Sequence, residues 1–169
     1  KMTLLQTQEP LPLHIVNLTV TGRCNLDCAC CYQKRRKDDM TTDQLLGIID
    51  DIANLGTQIV MMPGGEPLLR KDLDELVARA AQHNLQTYLA SNATLVTASR
   101  AQELKDVGLT GVCVGVEVFD PNNLEEVDRA GIKETIRGIT HFKNAGLETF
   151  ANLIVTRQNI DFLPKTVAL

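Results

Sequence analysis

Nowhere in the 169-residue chain is there a run of about 18 consecutive apolar residues, so no membrane-spanning helix is expected. The first residues also lack the charged-then-apolar pattern of a secretory signal, and the chain reads as cytoplasmic. Positive charge is in deficit: 17 lysines and arginines against 21 aspartates and glutamates give a formal net charge of −4. Phosphate binding normally rests on a positive surplus, which argues against nucleic acid as the principal partner. Low-complexity tracts and a second domain are missing as well. What is present is apolar material, 44% of residues, enough for the core of one ordinary domain over 1–169. Intrinsic disorder and a disulfide-stapled mini-protein are thereby excluded. Four of the five cysteines fall between Cys24 and Cys31. In a cytosolic chain such residues are more often ligands or reactive thiols than disulfides.

Strand and helix signals alternate along the chain. Leu13 to Val20 is apolar and β-branched, a buried strand that ends at Thr21-Gly22. Thr41-Thr-Asp43 offers an N-cap to a segment with Leu45, Leu46, Ile48, Ile49, Ile52 and Leu55 at helical spacing, closed by Gly56. Further strands are expected at Gln58 to Met62, Leu85 to Ala90, Val112 to Val118 and Glu148 to Val155. Helices are expected at Lys71 to His83, Ala98 to Val107 and Lys133 to Asn144, the last two ended by Gly108 and Gly146, with Phe162 to Leu169 starting a fifth. The strands are apolar on both faces, which predicts a parallel sheet covered by helices. A flavodoxin-like sheet and an open, partial β/α barrel both satisfy the count. In either, ligands sit at the C-terminal ends of the strands, so the residues just after each strand carry the information.

After the first strand comes Cys24-Asn-Leu-Asp-Cys28-Ala-Cys30-Cys31-Tyr32. The spacing of Cys24, Cys28 and Cys31 brings three thiolates within reach of one cuboidal iron–sulfur cluster. Three protein thiolates leave one iron open to a small molecule. A structural zinc site, with Cys30, Cys113 or a histidine as fourth ligand, is the competing reading, although zinc knuckles usually pair two Cys-x-x-Cys units. Coincidence is a third. Cys30 reads as a bystander and Cys113, inside the fourth strand, as a small core residue. His14, His83 and His141 are scattered, and Met61-Met62 reads as packing.

The second strand ends in Met62-Pro-Gly-Gly-Glu-Pro67, where paired Gly64 and Gly65 allow close backbone approach and Glu66 suits an ammonium group. The third ends in Ala90-Ser-Asn-Ala-Thr94, the fourth runs Val114-Gly-Val-Glu-Val118, and the fifth continues from Ala151-Asn-Leu-Ile-Val155 to Asn159. With the cysteine loop, this succession resembles the radical S-adenosylmethionine (SAM) superfamily from about His14 to Asn159. That family has a Cys-x3-Cys-x2-Cys loop, a Gly-Gly-Glu-Pro motif, a Thr-Asn-Gly-Thr turn and often a Ser-x-Asp pair. The chain departs from the pattern at Cys30, where an aromatic normally precedes the last cysteine, at Ala93 for glycine, and at Gly115 and Glu117 for serine and aspartate.

The resemblance implies an open β/α barrel with a 4Fe-4S cluster on Cys24, Cys28 and Cys31. It implies that SAM chelates the open iron and is held by Gly64, Gly65, Glu66 and Pro67 at its amino group. Ser91 and Asn92 would meet its carboxylate or ribose and Glu117 the ribose hydroxyls, while Asn152 would face the ligand and Ile154 or Val155 the adenine. Reductive cleavage would give a 5′-deoxyadenosyl radical that takes hydrogen from a small-molecule or peptide substrate, with no protein acid, base or nucleophile required. A non-catalytic iron–sulfur electron-transfer or scaffold protein is the alternative. A flavodoxin or ferredoxin is the implied reductant. Lys34-Arg-Arg-Lys37 could dock it, although a solvated run balanced by Asp38 and Asp39 is the plainer reading. Against an eight-unit barrel near 250 residues, the chain is expected to be truncated after the fifth strand, or to cover its open sheet edge by association.

Overall fold

The computed structural model describes residues 13–28, 31, 38–117, 131–157 and 159–168. Five strands form one parallel sheet: β1 (Ile15–Asn17), β2 (Ile59–Met62), β3 (Gln86–Ser91), β4 (Gly111–Glu117) and β5 (Glu148–Ile154). Helices α1 (Thr42–Asn54), α2 (Leu73–Gln82), α3 (Ala98–Asp106) and α4 (Ile132–Asn144) occupy the connections. A short α5 (Leu163–Val167) follows a 3-10 turn at Ile160–Phe162.

Spatial strand order is β1-β2-β3-β4-β5, the order of the chain. A doubly wound sheet would reverse direction at some point in this order. Right-handed crossovers between successive neighbours keep α1 to α4 on one face, as in an opened barrel. The burial alternates accordingly. Val60, Met62, Leu89, Val112 and Val114 are fully buried toward Leu45 and Ile49 of α1, Leu73, Leu76 and Val77 of α2, Leu104 of α3 and Phe142 of α4. On the other face Ile15, Phe150 and Ile154 are exposed. Of the two arrangements that the strand count allowed, the sheet is the open, partial β/α barrel: among the described residues helices cover one face, and the other is concave.

Local signals account for the element ends. Thr41 caps α1 in a capping box, its side chain accepting from Gln44 N at 3.3 Å while Gln44 Oε1 accepts from Thr41 N at 2.9 Å. Thr97 caps α3 through Arg100 N. Gly56, Gly108 and Gly146 follow α1, α3 and α4 with positive φ, the conformation that terminates a helix at least cost. The first strand is shorter than Leu13 to Val20 in its regular ladder. Its pairing nevertheless continues, with Leu18 N donating to Met61 O at 2.8 Å and Val20 N to Pro63 O at 2.9 Å.

Candidate functional site

The loops after β1 and β2 run side by side beyond the sheet. Thr21 forms a parallel bridge with Gly64. Gly65 N donates to Thr21 O at 2.9 Å, and Glu66 N to Arg23 O at 2.7 Å. A Cβ on Gly64 would lie 2.6 Å from Thr21 O, and one on Gly65 would lie 2.2 Å from Arg23 O and 3.0 Å from Cys24 Cβ. Only glycine permits that approach. Gly64 and Gly65, expected to let backbone approach a ligand, thus bring the β2 loop against the backbone that carries Cys24.

Glu66 has no solvent exposure. Its Oε1 accepts from Leu68 N at 3.1 Å and from Ser91 Oγ at 2.8 Å, and its Oε2 accepts from Asn92 N at 2.7 Å. These donors offset the desolvation of a buried carboxylate. They also tie the β2 loop to the end of β3, and Glu66 caps the 3-10 turn Pro67–Leu69. Ser91 Oγ in turn accepts from Ala93 N at 2.9 Å. The Asn92 side chain donates to Asn25 Oδ1 at 2.9 Å and to Cys24 Sγ at 3.9 Å. Both residues, expected to meet SAM, are bonded within the protein. Ala93 adopts a left-handed backbone, φ 59°, and its carbonyl faces Gly138 of α4, where a Cβ would fall 2.1 Å away.

The cysteine loop is closed at its base by two charged clamps. Asp39 accepts from Thr21 Oγ1 at 2.7 Å, from Gly22 N at 2.8 Å and from Arg23 Nε at 2.8 Å. Burial alone would raise its pKa, but the hydrogen bonds from Gly22, Thr21 and Arg23 outweigh this and hold it below the usual value. Buried Arg70 donates to Val20 O at 2.8 Å and Met40 O at 3.2 Å, one on each side of the loop. Asp72 grips the same guanidinium in a two-pronged pair and accepts from Thr42 Oγ1 at 2.6 Å. The Arg70 hydrogen bond lowers the Asp72 pKa. Asp39 was read as a counter-charge to Lys34 to Lys37; it is a clamp. Neither Asp39 nor Arg70 belongs to a recognisable motif, because the groups by which they hold the loop, Thr21, Gly22 and Arg23 for Asp39 and the Val20 and Met40 carbonyls for Arg70, lie 16 to 50 positions away.

Within this frame Cys24 and Cys28 are half-buried, Cys31 is exposed, and none is in a disulfide. Cys31 N donates to Cys28 O at 3.1 Å, and Leu26 N to Cys24 Sγ at 3.4 Å. Among the described residues no three histidine, cysteine, aspartate or glutamate side chains could share one metal ion. Cys113 is half-buried on the open face between Ala90 and Phe150, not in the core, and burial pushes its thiol pKa up. Asn152, in register with Gly115, and Ile154, in register with Glu117, are exposed at the end of β5. Cys30, Tyr32 and Lys34 to Lys37 lie outside the described residues.

A family model described as the radical SAM superfamily matches residues 18–169. The chain belongs to the radical SAM superfamily. Membership implies SAM and a 4Fe-4S cluster as its cofactors. The radical SAM chain is 29% identical over 155 residues to Fe-coproporphyrin III synthase of Methanosarcina barkeri, covering 89% of this chain and 39% of that protein. It is 30% identical over 152 residues to a PqqA peptide cyclase of Granulibacter bethesdensis, covering 86% and 41%. It thus spans about two fifths of these curated relatives. Among solved structures, Streptococcus suis SuiB bound to S-adenosylmethionine superposes with a TM-score of 0.76 at 21% identity, covering 93% of this chain and 37% of that one. Native anSMEcpe with bound AdoMet gives 0.74 at 20% identity, covering 93% and 48%. These likenesses show the same fold.

Proposed function

We propose that this chain is the cluster-bearing core of a radical SAM enzyme, with Cys24, Cys28 and Cys31 as the thiolate ligands of a 4Fe-4S cluster. The observation that carries the reading is the docking of the Gly64-Gly65-Glu66 segment onto the backbone of residues 21–24, which unites the cysteine loop and the β2 end as one surface. Held by Cys24, Cys28 and Cys31, the reduced cluster would supply one electron to SAM, whose sulfur–C5′ bond would break to give methionine and a 5′-deoxyadenosyl radical able to take hydrogen from the substrate.

The residues hold and orient; none transfers a proton. Asp39 and Arg70 fix the base of the loop, and Glu66 fixes the β2 end against β3. Backbone at Gly64 and Gly65, with Pro67 starting the next turn, receives the methionine amino end of SAM. Glu117, Asn152 and Ile154 meet the nucleoside at the ends of β4 and β5. Substrate, a small molecule or peptide, approaches from the open concave face, and a flavodoxin or ferredoxin supplies electrons in a reducing, cytoplasmic setting. Among the described residues no helix is long and apolar enough to cross a membrane.

A second reading, an iron–sulfur electron-transfer or scaffold protein that does not cleave SAM, is favoured by one observation: the Ser91 and Asn92 side chains are bonded internally. One experiment separates the two. The full chain is reconstituted anaerobically with iron and sulfide, reduced, and given SAM, and 5′-deoxyadenosine is quantified by chromatography. Its formation in wild type and loss in Cys24→Ala supports the enzyme; a full cluster with no 5′-deoxyadenosine supports the alternative.

A further inference from the structure

Asn92 stands at the turn after β3 with every bonding position of its side chain occupied. Its Oδ1 accepts from Thr94 N at 2.9 Å and from Thr94 Oγ1 at 2.7 Å. Its Nδ2 donates to Asn25 Oδ1 at 2.9 Å and to Cys24 Sγ at 3.9 Å. Asn25 Nδ2 closes a ring by donating to Thr94 Oγ1 at 2.9 Å. The backbone is held as firmly, with its N–H on Glu66 Oε2 at 2.7 Å and its carbonyl accepting from Thr135 Oγ1 at 2.9 Å. A primary amide has two donor hydrogens and two acceptor lone pairs, so none is left for an outside ligand. Flipping the amide would set Oδ1 against Asn25 Oδ1 and Nδ2 against Thr94 N, which fixes the donor side toward the cysteine loop.

We propose that Asn92 is a positioning residue of the cysteine loop, and that its amide N–H on the Cys24 sulfur raises the reduction potential of the cluster held there. The inference rests on the cluster reading above and replaces the role toward SAM expected for this residue. Reduction adds negative charge that is shared by the ligating sulfurs. An N–H donor stabilises the reduced form more than the oxidised one, and hydrogen bonds to sulfur are among the determinants of cluster potential. Leu26 N–H lies 3.4 Å from the same sulfur, so Cys24 Sγ sits beneath two donors, one local and one delivered from β3 across 68 positions of chain.

The test compares wild type, Asn92→Asp and Asn92→Ser, each reconstituted anaerobically as the full chain and titrated against redox mediators while EPR follows the reduced cluster. Aspartate keeps the acceptor toward Thr94 and loses both N–H groups; serine keeps a hydroxyl there and loses the amide. Both variants are expected to hold a full complement of iron and sulfide with a midpoint more negative than wild type, Asn92→Asp the more so because it adds charge. An unchanged midpoint at full loading overturns the inference. A second measurement needs no variant: pulsed EPR of the reduced wild-type cluster, with asparagine labelled by 15N in its side-chain amide, is expected to show a coupled nitrogen. Its absence overturns the inference as well. A wild-type chain that takes up no iron would overturn the cluster reading, and this inference with it.

Discussion

At the scale of single residues, the departure from the family pattern at Ala93 has a physical explanation. Ala93 stands where glycine is usual and adopts φ 59°, a region that costs an L-residue roughly 1–2 kcal/mol. Its methyl is fully buried, which returns about 0.8 kcal/mol, and alanine holds less unfolded-state freedom than glycine. Ala93→Gly is therefore expected to change stability by less than about 1 kcal/mol in a urea titration. Gly138→Ala behaves differently, because its Cβ would fall 2.1 Å from Ala93 O. A loss of roughly 1–3 kcal/mol is expected from such overpacking. Gly65→Ala is the functional counterpart. Its Cβ meets Arg23 O at 2.2 Å, so the loop carrying Cys24 must move, and reduced iron uptake on reconstitution should accompany a similar loss of stability. Wild-type iron content in that variant would show that the glycine does not position the cysteine loop.

At the scale of elements, the cysteine loop behaves as a closed unit between β1 and α1. Asp39 and Asp72 both have pKa values below the ordinary 3.8. A depressed carboxylate contributes stability that is present above its unfolded pKa and is lost as pH falls through its folded pKa. The clamps should therefore weaken from about pH 4 downward, and thermal unfolding followed between pH 2.5 and 5 should show it. Asp39→Asn should flatten that profile in part and lower stability near neutral pH; an unchanged slope would remove Asp39 from the account. Much of this level was legible in the sequence. The Thr41 cap, the glycines after α1, α3 and α4, and the strand–helix alternation are local signals, and they reappear where expected. The Asp39 and Arg70 clamps were not legible, because a surface-type charge pattern becomes a buried clamp only when residues 20, 40 and 70 meet in space. Glu66 was recognised as important, but its partners Ser91 and Asn92 lie 25 and 26 positions away, so their mutual commitment could be seen only in the fold.

At the scale of the whole molecule, the strand and helix alternation left a doubly wound sheet and an open barrel as alternatives, and the strand order decides for the open barrel. Sequential strand order places α1 to α4 on the same side and leaves Ile15, Phe150 and Ile154 exposed on the other, concave side. Cys24, Gly64, Gly65, Glu66, Ser91 and Asn92 lie together at one rim of that sheet, where the β1, β2 and β3 loops are joined by Glu66, Asn92 and the two glycines. The central claim is that this rim is one site for both cofactors. The most direct test is the EPR spectrum of the reduced, reconstituted chain recorded with and without SAM. The account predicts a 4Fe-4S signal that changes on addition of SAM and is lost in Cys24→Ala, Cys28→Ala and Cys31→Ala. A full cluster whose spectrum is indifferent to SAM, or one retained when all three cysteines are replaced, would contradict it.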